Sequence, residues 1–191
     1  MQHQKPVRSS RLGVYRISID ALFVALYVIL GTVLSFKIPG AIQISLSTLP
    51  ILLVAFLLTP ADAAAVALLG TFLEQILDPS PFGFATLPIW LIPGVVMALV
   101  AAFGARYVRT IENKKVALLL TCTAIVCAEL LLTLLNTGAL YLDGYLLHYP
   151  VKALHLLLPT RALNCLARCV ISCTLVNLLT PPLEKALKRM Q

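Results

Sequence analysis

Charge is scarce in this chain, and acidic charge scarcest: 12% of the 191 residues are Asp, Glu, Lys or Arg, and only eight are acids. Ordinary soluble domains carry about 25% charged residues. With 60% apolar residues and a mean hydropathy of +0.94, a chain of this size cannot hide its apolar surface in one water-facing core, so a soluble enzyme domain is excluded. The motifs of covalent chemistry are missing too: there is no glycine-rich phosphate loop, no His-Glu-x-x-His, no Gly-x-Ser-x-Gly and no paired-acid signature of a membrane protease. Binding is thereby favoured over catalysis. Five cysteines, an odd number, exclude a complete disulfide framework and read as thiols buried in helices. No internal repeat or low-complexity segment is present, and Trp90 is the one tryptophan.

What is abundant is long apolar runs. At about 20 residues per crossing there is room for roughly five to seven membrane helices and none for a nucleotide-hydrolysing domain. Six runs stand out between Pro, Gly and charged breaks: about Ser18 to Phe36, Ile42 to Thr59, Ala61 to Leu77, Thr86 to Tyr107, Val116 to Leu142 and Thr160 to Leu179. The second contains Pro50, which leaves open a broken or re-entrant segment, and the third opens on Pro60-Ala61-Asp62, a favourable helix start. Pro181-Pro182 is expected to stop the sixth.

The expected fold is an all-α integral membrane protein with six transmembrane helices. Residues 1–17 form a basic N-terminal tail, 18–182 a single helical domain and 183–191 a short basic C-terminal tail. The net charge of +7 decides orientation. Eleven of the fifteen Lys and Arg residues fall in the two tails or between the fourth and fifth runs, all on one side of a six-span chain. Both termini are therefore expected in the cytoplasm of a bacterial cell, and the basic excess reports topology rather than nucleic-acid binding. Lys37, Lys152, Arg161 and Arg168 are left over.

Ionisable and amide side chains at membrane depth are candidate functional residues. Glu74 and Gln75 end the third run, Trp90 follows in the fourth, Asn136 lies roughly 9 Å below the outer end of the fifth, and Arg161 opens the sixth. Four helices thus bring Glu74, Trp90, Asn136 and Arg161 to the outer third of the membrane, which suggests an outward-facing pocket. Each has a plainer reading: Trp90 as an interfacial aromatic, Glu74 as a solvated acid, Asn136 as interhelical glue and Arg161 as a snorkelling helix end. Glu129 reads as a buried structural partner of Arg168. Cys165, Cys169 and Cys173 form a stripe that reads as a helix–helix seam in preference to a soft-metal site. His148 and His155 read as solvated loop residues after Asp143-Gly144-Tyr145.

With these features in place, the chain resembles the substrate-binding S components of energy-coupling factor (ECF) vitamin transporters. The resemblance lies in a basic N-terminus, the Ala-x-x-x-Ala string Ala21-Leu22-Phe23-Val24-Ala25, and the segment Gln43-Ile44-Ser45-Leu46-Ser47-Thr48-Leu49-Pro50-Ile51, similar to the family's Ile-x-Ile-x-Phe-x-x-Leu-Pro. Leu134-Leu135-Asn136-Thr137 and Leu158-Pro159-Thr160-Arg161 are similar to its folate-type members. The resemblance implies high-affinity capture of a folate-like vitamin near the outer face, under a lid formed between helices one and two. It also implies association with a coupling transmembrane subunit and two ABC-type ATPases in the lipid bilayer, with no cofactor, metal or enzymatic activity. On this reading Arg161, with Lys152, meets the substrate carboxylates, Glu74 or Asn136 bonds the pterin edge, Trp90 or Tyr141 stacks on the ring, and Ala21 and Ala25 dock the coupling subunit. The sequence departs from the folate-type pattern at Gln43, where a basic residue is frequent, and at Leu46 in place of Phe. Pantothenate, a pyrimidine precursor or another small vitamin therefore stays open, as do a membrane enzyme built on Glu129 and Arg168 and a ligand-free interaction protein.

Overall fold

The structure is a computed structural model that describes residues 8–33, 35–38, 42–77, 86–146 and 158–190. Among the described residues there are six helices: α1 (Arg8–Thr32), α2 (Thr48–Leu57), α3 (Pro60–Leu77), α4 (Leu87–Val108), α5 (Lys114–Leu146) and α6 (Leu158–Met190). Between α1 and α2, the short strands β1 (Phe36–Ile38) and β2 (Ile42–Ile44) pair antiparallel, with Lys37 opposite Gln43. Among the described residues, five helices are long and apolar enough to cross a membrane. The exception is α2, whose ten residues span about 15 Å, half a bilayer core.

The sequence explains why α2 can be short and central. Thr48–Leu57 is apolar on every side, the pattern of a fully enclosed helix, and residues 48–56 are all buried. Around Ile51, Leu52 and Val54 pack Val66 and Ala67 of α3, Met97 and Ala101 of α4, Ile125 and Ala128 of α5 and Val176 of α6. Alanines at these seams let backbones approach closely, the packing that substitutes for a hydrophobic driving force in lipid. Leucines, valines and phenylalanines such as Leu69, Phe103, Leu119 and Val170 point outward, an apolar exterior fitted to lipid.

Several expected boundaries shift. Residues 42–44 form a strand, so the second helix starts at Thr48, not Ile42. Pro50 does not break it, because the first turn of a helix offers its N–H groups no helical acceptor, so the donor that proline lacks costs no helical bond there. The first helix extends back to Arg8. The fifth runs four residues past Leu142, so Asp143-Gly144-Tyr145 is helix rather than loop. The sixth continues through Pro181-Pro182, giving up two backbone bonds, and Leu183 beyond them packs against the core.

One end of the bundle gathers the start of α1, the end of α2, the start of α3 and the ends of α4 and α6 around a cleft of about 390 Å³ lined by Tyr15, Arg16, Leu58, Asp62, Arg109 and Leu187. Here Thr59 and Asp62 cap α3 reciprocally, with the Thr59 N–H and hydroxyl both donating to Asp62 Oδ2. Arg16 then clamps both carboxylate oxygens of Asp62, and the Arg109 guanidinium donates to the Phe56 carbonyl near the end of α2. We call this the basic end; the β-hairpin, the N-terminus of α2 and the start of α6 lie at the far end.

Candidate functional site

The far half of the bundle contains a polar column that the apolar composition would not lead one to expect. Along α5, Glu129, Asn136 and Asp143 recur every seven residues, two helical turns or about 10 Å apart, with Thr133 and Thr137 between them. Along α6, Arg161, Arg168 and Ser172 form the matching row.

At the base of this column Glu129 is 0% exposed. Its Oε1 accepts from Thr48 of α2 at 2.8 Å and from Ser172 of α6 at 3.1 Å, and its Oε2 lies 3.6 Å from Arg168 Nε. This is the Glu129–Arg168 pair expected from depth. Thr48 and Ser172 are its unexpected members, and Thr48 ties the buried start of α2 to α5. The Arg168 guanidinium also donates to the Thr133 hydroxyl at 3.0 Å. One step outward, Arg161 sits in the first turn of α6 and donates to Thr137 Oγ1 at 3.3 Å. The positive end of the α6 dipole adds to its charge, an arrangement that attracts anions.

Trp90, in the first turn of α4, donates its indole N–H to Asp143 Oδ2 at 2.6 Å. Asp143 is also 0% exposed. It lies one residue past the expected end of the fifth run, and the one signal of its placement was the seven-residue spacing from Glu129 and Asn136. Glu74, near the end of α3, is half-buried over α1: a Cβ on Gly31 would fall 2.5 Å from its Oε1. Below it the Tyr27 hydroxyl shares a hydrogen bond with Thr71 Oγ1 at 3.2 Å. Asn136 and Tyr141 are half-buried on α5.

Arg161 and Trp90 are thus each tied to α5, while Glu74 is braced against α1. Lys152, His148 and His155 lie outside the described residues, as do the side chains of Lys37 and Gln43. Ala21 and Ala25 are exposed on α1, not spent on packing within the bundle. Cys165 and Cys169 are buried and Cys173 half-buried, all three as free thiols; Cys165 Sγ lies 3.8 Å from the Glu129 carbonyl and Cys173 Sγ 3.7 Å from that of Cys122, which places them in the α5–α6 seam.

Comparison with known proteins bears on what this arrangement is for. No curated protein matches the sequence. In fold the chain is similar to a solved structure described as the S component of a bacterial ECF transporter. The TM-score is 0.63 with 16% identity, over 92% of this chain and 99% of that one; at this identity the likeness is one of architecture. The family described as "ECF transporter, substrate-specific component" matches residues 16–180. With the family match covering most of the sequence and the architecture agreeing, the chain belongs to the substrate-specific components of ECF transporters.

Proposed function

We propose that the far end of the bundle captures a folate-like vitamin from outside a bacterial cell and that the chain delivers it by joining a coupling transmembrane subunit and two ABC-type ATPases. The family is one of transport components, not of enzymes. The observation that carries the reading is Arg161: a guanidinium at a helix N-terminus, held by Thr137 in the half-buried end of an otherwise apolar bundle. Placing a cation there is costly unless it serves an anionic partner. Folate supplies carboxylates for Arg161 and Lys152, a flat ring for Trp90 or Tyr141, and a polar edge for Glu74 or Asn136. The exposed Ala21 and Ala25 offer a small-residue surface on which a coupling helix can seat closely. Both termini face the cytoplasm on this reading, because the basic clusters follow the positive-inside rule.

Full enclosure of Glu129 by three protein partners favours its structural role over a catalytic one. The test is calorimetric titration of the detergent-purified chain with folate and pantothenate. Arg161→Ala is expected to weaken folate binding by about 1–3 kcal/mol, the scale of a lost charge-assisted hydrogen bond, while Arg161→Lys retains part of it. Unchanged affinity in Arg161→Ala would remove the anion-binding assignment.

A further inference from the structure

The cleft at the basic end lies on the opposite side of the molecule from the polar column, and the proposed capture of a vitamin does not use it. The membrane-length segments Gly13–Thr32, Pro60–Leu77, Leu87–Val108 and Leu158–Leu187 each have one end at this cleft. It therefore sits at the level where the apolar exterior gives way to water. Its volume of about 390 Å³ falls at the lower end of the roughly 300–1,000 Å³ of small-molecule pockets. The lining is of two kinds: the aliphatic side chains of Ile19, Leu57, Leu58 and Leu187, and the guanidiniums of Arg16 and Arg109.

The two arginines are not equivalent. Arg16 is committed within the protein, to both carboxylate oxygens of Asp62 and to the Thr59 hydroxyl. Asp20, one turn further along α1, adds a second carboxylate on the Arg16 face of that helix, so this wall carries no surplus positive charge. Arg109 is different. It is exposed, it gives one N–H to a neutral acceptor, the Phe56 carbonyl, and it has no acidic partner within 4 Å among the described residues. A guanidinium carries five N–H donors in a fork that matches phosphate oxygens. An unpaired guanidinium beside four aliphatic side chains suits an amphiphile with an anionic head, and at the edge of a bilayer that amphiphile is a phospholipid. We propose that the basic-end cleft seats one phospholipid of the adjoining leaflet, with its phosphodiester on Arg109 and the upper part of an acyl chain against Ile19, Leu57, Leu58 and Leu187. Basic pockets between membrane helices hold lipid head groups in this way. The site is independent of what the far end binds.

The experiment is native mass spectrometry of the full chain in a neutral detergent, titrated with three probes. Dioleoylphosphatidylglycerol has both phosphate and chains, dioleoylglycerol has the chains without the phosphate, and glycerol 3-phosphate has the phosphate without the chains. Wild type is expected to retain the phospholipid, saturating at one adduct, and neither of the others. Arg109→Gln removes the charge while its amide can still donate to a carbonyl; it is expected to weaken retention by about 10- to 100-fold, and Arg109→Lys by less. Leu187→Asp sets a carboxylate against the chain and is expected to weaken retention by about tenfold or more. Equal retention of dioleoylglycerol removes the role of the phosphate, and equal binding of glycerol 3-phosphate makes the cleft a site for free anions; either overturns the proposal. Phospholipid retention unchanged in both Arg109→Gln and Leu187→Asp puts the lipid elsewhere and overturns it too. Retention of none of the probes by wild type leaves the cleft to a protein partner and likewise overturns it. The three-probe comparison uses wild-type protein, so it stands even where a variant is unstable.

Discussion

Glu129 shows how much of a helical bundle can converge on a single enclosed side chain. It accepts from Thr48 and Ser172 and faces Arg168, so three helices meet on one carboxylate. Removing one partner of a buried ion pair strands the other, at a cost of about 3–5 kcal/mol. Glu129→Ala is therefore expected to lower the melting temperature in detergent substantially. Glu129→Gln should lower it less, since the amide oxygen can still accept from Thr48 and Ser172. An Ala variant as stable as wild type would contradict this structural role. The Glu129–Arg168 pairing was legible in the sequence because both residues lie at similar depth in long apolar runs, where a lone charge is expensive. Asp143 was not: an acid followed by glycine at the end of a run reads as the exit from a helix, and only tertiary packing around α4 and α5 carries the helix past it.

Among the elements, α2 and the α1–α3 contact differ most from what periodicity alone conveys. An apolar run of eighteen residues reads as one span, yet its alternating Ile42-Gln43-Ile44 start is drawn into a strand pair with 36–38, leaving ten helical residues as the plug of the bundle. The long spans α3 and α4 were placed within a residue or two, because proline starts and polar stops mark them directly. The α1–α3 seam depends on a close approach. A Cβ on Gly70 would lie 2.7 Å from Tyr27 Cδ1, whereas a Cβ on Gly138 of α5 meets nothing within 4 Å. Helix propensity favours Ala over Gly by about 1 kcal/mol, and overpacking costs about 1–3 kcal/mol. Gly138→Ala is thus expected to raise the melting temperature and Gly70→Ala to lower it while displacing Tyr27 from Thr71. Shifts of the same sign in both variants would mean that α1 and α3 are not held this closely.

At the scale of the whole molecule, the two ends are chemically different. The basic end is built from capping and clamping contacts, with Arg16 on Asp62 and Arg109 on the α2 terminus, and it collects the start of α1 and the end of α6. The far end contains Arg161, Trp90, Asp143 and Thr86, at the tips of three helices that converge on one side. This polarity was readable in outline from the distribution of lysine and arginine, whereas the partners that hold each far-end side chain come from non-local packing that no spacing rule encodes. The far end is proposed to hold a vitamin, and Trp90 there is the chain's only tryptophan. Its fluorescence therefore reports on that end alone. The direct measurement is emission of the purified chain titrated with folate, an aminopyrimidine and pantothenate: a saturable change with at least one of them, accompanied by a raised melting temperature, is the predicted result, and no change in either signal with any of them would contradict a vitamin pocket at the far end.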